Sequence, residues 1–333
     1  MGAKLCIIEG DGIGKEVIPA AVQVLEKAVP GLEISQAEAG WETFTRRGVS
    51  VPAETLAEVR TSGAALFGAV SSPSRKVEGY RSAILTLRQE LDLYANLRPV
   101  RSLPSVSPRS GIDLLIVREN TEGMYAGRER MEGDTAVAER VITRQASYRT
   151  GRKAVELALA AGRRRLTIVH KANVLPVTDG LFRDTVRAAA VELQAEAHGL
   201  LVDELLVDTA ANQLVSQPEK FEVIVTTNLF GDILSDEAAH WCGGMGLAPS
   251  LNWGPAAAIA EPVHGSAPDI AGKGIANPVA AVLSGALLAR YVWELPEAAE
   301  RIEGAVRAAL EQGQARTGLP TAHITRAICE RIG

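Results

Sequence analysis

The sequence contains few cysteines and only a small excess of one charge. Its three cysteines, Cys6, Cys242 and Cys329, are odd in number, far apart and without paired spacing. This pattern argues against a disulfide framework and against a zinc site, and buried free thiols are the simpler interpretation. The 35 basic and 40 acidic residues give a net charge of −5, and the basic residues form no long run. We therefore expect no nucleic-acid partner.

Long apolar runs are also missing. The most apolar stretch, residues 279–289, has 11 residues, whereas a helix needs roughly 20 to span a bilayer. It is predicted to be a buried helix, and no membrane association is expected. Near the N-terminus, Lys4 and Glu9 bracket the first apolar segment, unlike the uninterrupted apolar core of a signal peptide. We therefore expect a cytoplasmic protein.

The sequence does contain a regular alternation of short β-branched segments with Ala- and Leu-rich segments of helical periodicity. This alternation predicts an α/β protein with parallel strands, and a length of 333 residues favours two domains. The predicted strands are 4–8, 64–69, 113–117, 166–170, 201–207 and 223–227, and the predicted helices include 17–27, 144–161, 178–197 and 296–312. Residues 98–111, rich in proline and serine, are either a crossing between domains or a surface loop.

Two glycine-rich segments are candidate ligand loops. The first, Glu9-Gly-Asp-Gly-Ile-Gly14, joins a strand to a helix but lacks the G-x-G-x-x-G spacing of a dinucleotide fingerprint, so a tight structural turn is the simpler interpretation. The second covers residues 261–278 and combines glycines with short polar side chains. It is either an adenosine-binding loop or a plain loop. If it binds a dinucleotide, Asp269 would repel a 2′-phosphate and favour NAD.

Carboxylates give the clearest chemical signal. Asp232 and Asp236 stand four residues apart near an apparent helix start, which puts them on one face, and Asp208 follows the strand segment 205–207. The helix N-terminus would offset part of their repulsion and a divalent cation the rest. With only five histidines and no H-E-x-x-H motif, such a cation would be Mg²⁺ or Mn²⁺. The alternative is a pair of exposed aspartates that cap a helix.

Three arginines supply the complementary charge. Arg88 lies on a predicted helix, Arg98 in the segment Asn-Leu-Arg-Pro, and Arg118 directly after an apolar strand. An arginine in such a position tends to face the cleft at the carboxyl edge of a sheet, where it can bind a carboxylate with two hydrogen bonds. Each alone could be a surface ion pair. Together they indicate an acidic substrate.

Two side chains are candidates for proton transfer. Lys171 follows the strand 166–170, and Tyr125 lies in the loop after Arg118, so both could reach the same cleft. His170 stands beside Lys171, but at the end of an apolar strand a histidine is more often structural.

Six segments together resemble the β-decarboxylating dehydrogenases, the family of isocitrate, homoisocitrate, 3-isopropylmalate and tartrate dehydrogenases. They are Gly10-Asp-Gly-Ile-Gly14, Asn96-Leu-Arg-Pro99, Val117-Arg-Glu-Asn-Thr-Glu-Gly123, His170-Lys-Ala-Asn173, Asn228-Leu-Phe-Gly-Asp-Ile-Leu-Ser-Asp236 and residues 264–277. The resemblance covers essentially the whole chain. It implies a doubly wound two-domain α/β fold distinct from the Rossmann fold, with residues 1–98 and 251–333 in a large cofactor-binding domain and residues 99–250 in a small domain.

The resemblance also implies an assembly and a set of site residues. The chain would form a homodimer or a dimer of dimers, with Lys171, Asn173 and Asp208 contributed to the partner's site. The implied catalytic residues are Tyr125 and Lys171, and the implied metal ligands are Asp208, Asp232 and Asp236. The implied substrate-binding residues are Ser72, Arg81, Leu85, Arg88, Arg98, Arg118, Asn173 and Asp208. The implied cofactor-binding residues are Ile13, Glu261, His264, Gly265, Ser266, Ala267, Asp269, Ile270 and Asn277.

In the implied reaction, Lys171 would accept the substrate's hydroxyl proton while hydride passes to NAD, with Mg²⁺ or Mn²⁺ polarising the hydroxy acid. After loss of carbon dioxide, Tyr125 would help to return a proton to carbon. The substrate would be a small hydroxy di- or tricarboxylic acid.

The side group of that acid is a narrower question. Arg81, Leu85 and Arg88 are spaced to lie on one helix face. The resemblance implies that isopropylmalate dehydrogenases carry an acidic residue at the position of Arg81, so the charge is reversed here. An anionic side group is therefore favoured, and homoisocitrate, in lysine biosynthesis through 2-aminoadipate, is the leading hypothesis. Side activity on isocitrate or 3-isopropylmalate is expected, because one methylene changes binding by only ~1–3 kcal/mol. The alternatives are a 3-isopropylmalate, tartrate or D-malate dehydrogenase, a non-catalytic regulatory subunit, or a phosphate-binding protein that uses the first glycine turn.

Overall fold

The computed structural model describes residues 2–75 and 77–332, which form a mixed α/β chain. Its strands are β1 (Lys4–Ile8), β2 (Glu33–Ala37), β3 (Ala64–Phe67), β4 (Ala95–Arg101), β5 (Asp113–Glu119), β6 (Glu129–Glu132), β7 (Thr135–Ala138), β8 (Arg165–His170), β9 (Leu201–Leu206), β10 (Val223–Thr226), β11 (Pro249–Trp253) and β12 (Ala258–Pro262). Its helices are α1 (Gly14–Ala28), α2 (Trp41–Arg47), α3 (Ala53–Ser62), α4 (Ala83–Glu90), α5 (Arg144–Ala160), α6 (Thr178–Glu192), α7 (Val207–Ser216), α8 (Asn228–Ala238), α9 (Val279–Tyr291), α10 (Pro296–Glu311) and α11 (Thr321–Cys329).

The chain divides into two compact units. Unit 1 comprises Met1–Leu93, Ser102–Ser110 and Cys242–Gly333, and unit 2 comprises Tyr94–Arg101 and Gly111–Trp241. Both ends of the chain therefore contribute to unit 1. The crossings after Leu93 and Trp241 come earlier than the boundaries at 98 and 250 expected from the sequence, and Ser102–Ser110, expected in the small domain, belong to unit 1.

Unit 1 is built around strands in the order β2-β1-β3-β12-β11, parallel except for the β12–β11 pair. Helix α9 packs on β11, β12, α1 and α10, and its residues from Val279 to Ala289 are all buried, which confirms the predicted buried helix. Gly285 allows α1 to approach, because a Cβ there would lie 2.9 Å from Leu25 Cδ1. Across residues 2–75 and 77–332, none of the helices has the length and apolarity that a bilayer crossing requires.

Unit 2 contains an antiparallel pair, β4 with β5, followed by the parallel neighbours β5-β10-β8-β9. Helices α5 and α6 pack on one another, and α8 packs on β5 and α7. Arg118 of β5 is in register with Thr226 of β10, and His170 of β8 with Leu206 of β9. The residues at or just after these strand ends therefore share one edge of the sheet, where α/β proteins commonly bind ligands.

The local predictions were right where the signals were strong and wrong at some boundaries. Helix α10 begins at Pro296 and is followed by Gly313 with φ of +71°, as the sequence indicated. The predicted strand 201–207 ends at residue 206, and α7 begins at Val207, so Asp208 lies in a first helical turn rather than at a strand end. The apolar residues continue from β9 into α7, so their pattern does not show where the strand ends and the helix begins. Cys6 and Cys242 are buried free thiols, whereas Cys329 is only half-buried.

Candidate active site

Two arginine–aspartate pairs lie between β4, β5 and α8. The Arg118 guanidinium forms an ion pair with Asp232, and Arg98 Nη1 lies 2.9 Å from Asp236 Oδ1. Both arginine side chains are almost fully buried, while 35% of Asp232 and 51% of Asp236 remains exposed. The sequence placed these aspartates at the helix start, but α8 begins at Asn228, one turn before Asp232. Their ion pairs in this structure are with the two arginines.

Arg118 is held in one orientation by α8. Its Nε and Nη2 donate to Asn228 Oδ1 at 3.0 and 2.7 Å. Gly231 permits this approach, because a Cβ at that position would lie 2.5 Å from Arg118 Cγ. Arg118 lies within β5 rather than after it, a correction to the sequence-based boundary. The role of Asn228 was missed, although its position in the motif was the available signal.

Tyr125 completes this cluster. It lies in a single 3₁₀ turn, Met124–Ala126, and its hydroxyl donates to Asp232 Oδ2. The Arg118 guanidinium carbon lies 5.1 Å from the centre of its ring. Burial, followed by the hydrogen bond to the Asp232 carboxylate, raises the pKa of Tyr125 above its ordinary value. A phenol is protonated at neutral pH without any shift, so Tyr125 has a proton to donate, and the raised pKa means that it gives up this proton less readily.

Lys171 and Asp208 form a second group. They follow β8 and β9 and make an ion pair with one another, and the hydrogen bond from Lys171 lowers the pKa of Asp208. Asn173, two residues after Lys171, is exposed. Within the described part of the chain, no three His, Cys, Asp or Glu side chains are arranged to hold a metal. One chain thus presents the predicted metal aspartates in two places, Asp208 with Lys171 and Asp232 with Asp236.

His170 has a structural environment. Its side chain is 4% exposed, and its Nδ1 accepts the backbone N–H of Ala172 at 3.0 Å. Burial lowers the pKa of His170 below its usual value, so the ring is neutral and Nδ1 can accept. The imidazole thereby fixes the backbone beside Lys171.

In unit 1, Arg88 contacts a carboxylate rather than solvent. Its Nη2 donates to Glu261 Oε1 at 3.0 Å, and the same oxygen accepts from Asn252 Nδ2 at 2.8 Å. Arg88 Nε is buried and has no hydrogen-bond partner among residues 2–75 and 77–332. Glu261, predicted as a cofactor residue, thus orients a predicted substrate residue, and Arg88 keeps a donor for a ligand.

The predicted substrate face of α4 is only partly observed. Leu85 is half-buried on the helix, but α4 begins at Ala83, so Arg81 precedes it and the expectation that Arg81 lies on that helix face was wrong. Arg81 is exposed and donates to Gln89 Oε1 at 2.9 Å. Ser72, in the loop before α4, is also exposed.

The two glycine-rich segments meet in unit 1. Ile13 N donates to Ser266 O at 2.9 Å, and a Cβ on Gly12 would lie 2.1 Å from that oxygen, so the first glycine turn is needed for close approach to the second. Ala267 has φ of +39°, which is unusual for a residue with a side chain. Gly265 and Asp269 are exposed and Ile270 is half-buried in the same loop.

His264 and Asn277 of this loop differ in whether a side-chain polar atom is left to bind a ligand. His264 Nδ1 lies 3.0 Å from Gly265 O, and its Nε2 is buried without a partner among the described residues. Burial lowers the pKa of His264, so Nε2 of the neutral ring is an acceptor suited to an N–H of a nucleotide base. Asn277 instead holds structure: its Oδ1 accepts from Val279 N at 3.0 Å and its Nδ2 donates to Ala315 O at 3.1 Å.

Asp11 is a functional candidate that sequence reasoning missed. It is 2% exposed, and its carboxylate accepts the backbone N–H groups of Trp41, Glu42 and Ser71 at 2.8 to 2.9 Å. Ser71 Oγ in turn donates to Ser266 Oγ at 3.0 Å. Asp11 therefore ties Ser71 to the cofactor loop. The signal was its place in the first glycine segment.

Comparisons with known proteins agree with this geometry. The family model described as isocitrate/isopropylmalate dehydrogenase matches residues 4–332. The chain is 54% identical over 332 residues to an isocitrate/homoisocitrate dehydrogenase of Thermus thermophilus, covering 100% of this chain and 98% of that protein. It is 49% identical to a homoisocitrate dehydrogenase of Methanocaldococcus jannaschii, covering 87% and 86%.

The fold is also that of a solved relative. A crystal structure of isocitrate dehydrogenase from Methylococcus capsulatus superposes with a TM-score of 0.93 at 42% identity, covering 100% of this chain and 99% of that one. The expected family and its α/β fold are thereby confirmed. The chain belongs to the isocitrate/isopropylmalate dehydrogenase family, whose members are β-decarboxylating hydroxy-acid dehydrogenases.

Proposed function

We propose that this enzyme catalyses the NAD-dependent oxidative decarboxylation of homoisocitrate to 2-oxoadipate and carbon dioxide. The observation that carries the proposal is the cluster of Arg98, Arg118, Tyr125 and Asp232 at one sheet edge. Buried arginines oriented by carboxylates provide fixed cationic sites for an acidic substrate, and the phenol beside them provides a proton. The reaction would belong to lysine biosynthesis through 2-aminoadipate in the cytoplasm.

The donor set fits a divalent metal ion. Asp232 and Asp236 are half-exposed carboxylates on one face of α8, and Asp208 of the partner subunit would be the third ligand. All are hard oxygen donors, which suits Mg²⁺ or Mn²⁺. When bound, the ion would act as a Lewis acid on the hydroxy acid and NAD would accept the hydride.

The chain's own residues would bind the substrate and move its protons. Arg98 and Arg118 would hold the carboxylate that leaves as carbon dioxide. The partner's Lys171 would accept the hydroxyl proton as a neutral amine, after it has left its ion pair with the exposed Asp208 carboxylate and given up its own proton to solvent. Tyr125, whose hydroxyl lies beside Asp232, would deliver a proton to the substrate carbon after decarboxylation.

The cofactor preference rests on the loop at 261–278. The acceptor at His264 Nε2 and the close approach of Ile13 to Ser266 fit a nucleotide lying along the loop. Exposed Asp269 would accept from ribose hydroxyls and repel a 2′-phosphate. NAD is therefore expected to give a higher kcat/KM than NADP, and the reverse preference would overturn the assignment of Asp269.

Exposed apolar side chains support a homodimer with shared sites. Val174 and Val177, on the segment after Lys171, are 63% and 82% exposed, and Ile233, next to Asp232, is 57% exposed. Apolar groups beside both halves of the site are expected to be covered by a second copy of the chain. A monomer by light scattering in the presence of full activity would refute this assembly.

The substrate assignment is tested by a steady-state panel. We expect kcat/KM to be highest for homoisocitrate among homoisocitrate, isocitrate, 3-isopropylmalate, tartrate and D-malate. The cation of Arg81 before α4 supports an anionic side group. Arg81→Leu should therefore lower kcat/KM for homoisocitrate and leave that for 3-isopropylmalate unchanged. A clear preference of the natural chain for 3-isopropylmalate, the second candidate, would refute the substrate while leaving the family intact.

A further inference from the structure

Asp179, in the first turn of α6, is a fully buried carboxylate with two different partners. One oxygen accepts the backbone N–H of Lys171 at 2.6 Å, and the other forms an ion pair with Arg140. The backbone of Lys171 is therefore held in place by a residue of the following helix, α6. The proposed reaction uses the side chain of Lys171 but assigns no role to Asp179 or Arg140, so it leaves this buried charge unexplained.

Arg140 extends this contact to a second element. Its Nη2 donates to Thr227 Oγ1 at 3.0 Å, and its guanidinium carbon lies 5.1 Å from the centre of the Phe230 ring. Thr227 is 1% exposed and directly precedes α8, the helix that carries Asp232. Burying two opposite charges is costly unless both stay paired, so the Asp179–Arg140 pair resists separation and restrains what it touches.

From these contacts we infer that Asp179 is a positioning residue that holds the backbone at Lys171 and, through Arg140 and Thr227, the start of α8. The inference rests on the proposed shared site. In that assembly, Lys171 and Asp232 of one chain serve different active centres. Asp179 thus connects Lys171, which acts in the partner's active centre, with Asp232, which acts in the chain's own active centre.

Hybrid dimers separate the two arms of this connection. One chain carries Lys171→Met and the other Asp232→Asn, with different affinity tags so that only the heterodimer is purified. Each homodimer should be inactive, and the heterodimer should regain about half the wild-type activity from one complete site. That site uses Asp232 of the first chain and Lys171 of the second.

Asp179→Asn is then placed in either chain of the heterodimer. In the Lys171→Met chain it can reach the complete site only through α8, and in the Asp232→Asn chain only through Lys171. We expect kcat to fall about 10- to 100-fold in both placements, because misplacing a catalytic group by about 1 Å costs this much. Asp203→Asn, which breaks the pair between Arg165 of β8 and Asp203 of β9, is the matched control and should leave kcat unchanged in both chains.

The outcomes are distinguishable. A heterodimer without activity refutes the shared site of the proposed function. An active heterodimer that tolerates Asp179→Asn in both placements overturns the positioning role. Loss in the Asp232→Asn chain alone overturns the connection to α8.

Because Asp179→Asn leaves Arg140 buried without its partner and can unfold unit 2, a milder variant tests the same arm. Thr227→Val removes only the hydroxyl that Arg140 contacts and keeps the side-chain shape. We expect about 5-fold weaker Mn²⁺ binding by the dimer, measured by electron paramagnetic resonance without NAD or turnover. Unchanged Mn²⁺ affinity would overturn the α8 arm.

Discussion

The close contact between Gly231 and Arg118 predicts that a larger residue at position 231 lowers activity much more than it lowers stability. In Gly231→Ala, the new Cβ would lie 2.5 Å from Arg118 Cγ, whereas ordinary contacts begin at 3.4 Å. The arginine, or the helix above it, must therefore move by about 0.9 Å. Arg118 is held on both sides, by Asn228 and by Asp232, so this movement disturbs the whole carboxylate-binding cluster.

The two effects have different magnitudes. Overpacking costs about 1–3 kcal/mol, and replacing a helical glycine with alanine returns about 0.5–1 kcal/mol, so the net loss of stability should be about 0–2.5 kcal/mol. A misplacement of about 1 Å in a substrate-positioning group can cost about 100-fold in rate. We therefore expect kcat/KM to fall about 10- to 100-fold in a protein that remains folded.

The assay combines steady-state kinetics, followed by NADH absorbance, with thermal unfolding. Gly304→Ala in α10 is the matched control, because nothing lies within 4 Å of the new Cβ. It should leave kcat/KM unchanged and raise stability by up to about 1 kcal/mol. Wild-type kcat/KM in Gly231→Ala would refute the reasoning, and so would a loss of activity that only tracks the fraction of unfolded protein.

Three further predictions follow from the site. Lys171→Met should abolish turnover while leaving the Tm and NAD binding unchanged. A kcat within about 10-fold of the wild-type value would exclude Lys171 as the base. Because burial lowers the pKa of His170 in the folded state, stability should be full above the unfolded pKa of about 6.5 and fall as the pH drops below it. His170→Asn, which keeps an acceptor for Ala172 N–H, should reduce that fall, measured as urea midpoints between neutral and acidic pH. Asp11→Ala should raise KM for both NAD and the acid, because the carboxylate holds Ser71 against the cofactor loop, and an effect on neither KM would contradict that link.

Elements whose bounds depend on neighbouring residues were predicted from the sequence, whereas several elements defined by contacts between distant segments were not. Helix α10 has a proline at its first position and a glycine beyond its end, so its bounds are local properties. Strand β4 was missed because it contains Pro99 and is defined by its pairing with β5, a contact between distant segments. The antiparallel β11–β12 pair was also missed, although it is a local hairpin in which Trp253 pairs with Ala258.

The candidate site shows the same limit. The residue types of Asp232, Arg118 and Tyr125 were predicted, because their chemistry is distinctive within recognisable segments. Their mutual contacts were not predicted, because the pairing of each arginine with one aspartate depends on how β4, β5 and α8 pack together. Asp179 is an acidic residue in the first turn of a helix by sequence, where a solvent-exposed carboxylate is common. Only the packed structure shows that it is buried.

The division of the chain between the two units has a consequence for its synthesis. In unit 1, β3 pairs with β12, and 190 residues separate the end of one strand from the start of the other. At about 5–20 residues per second, a ribosome needs about 10–40 s to cover that distance. Unit 2 lies wholly within this interval after Tyr94 and can complete its fold first. During that time β3 has an open strand edge, so the nascent chain is most exposed to mispairing while the later half of unit 1 is still unmade.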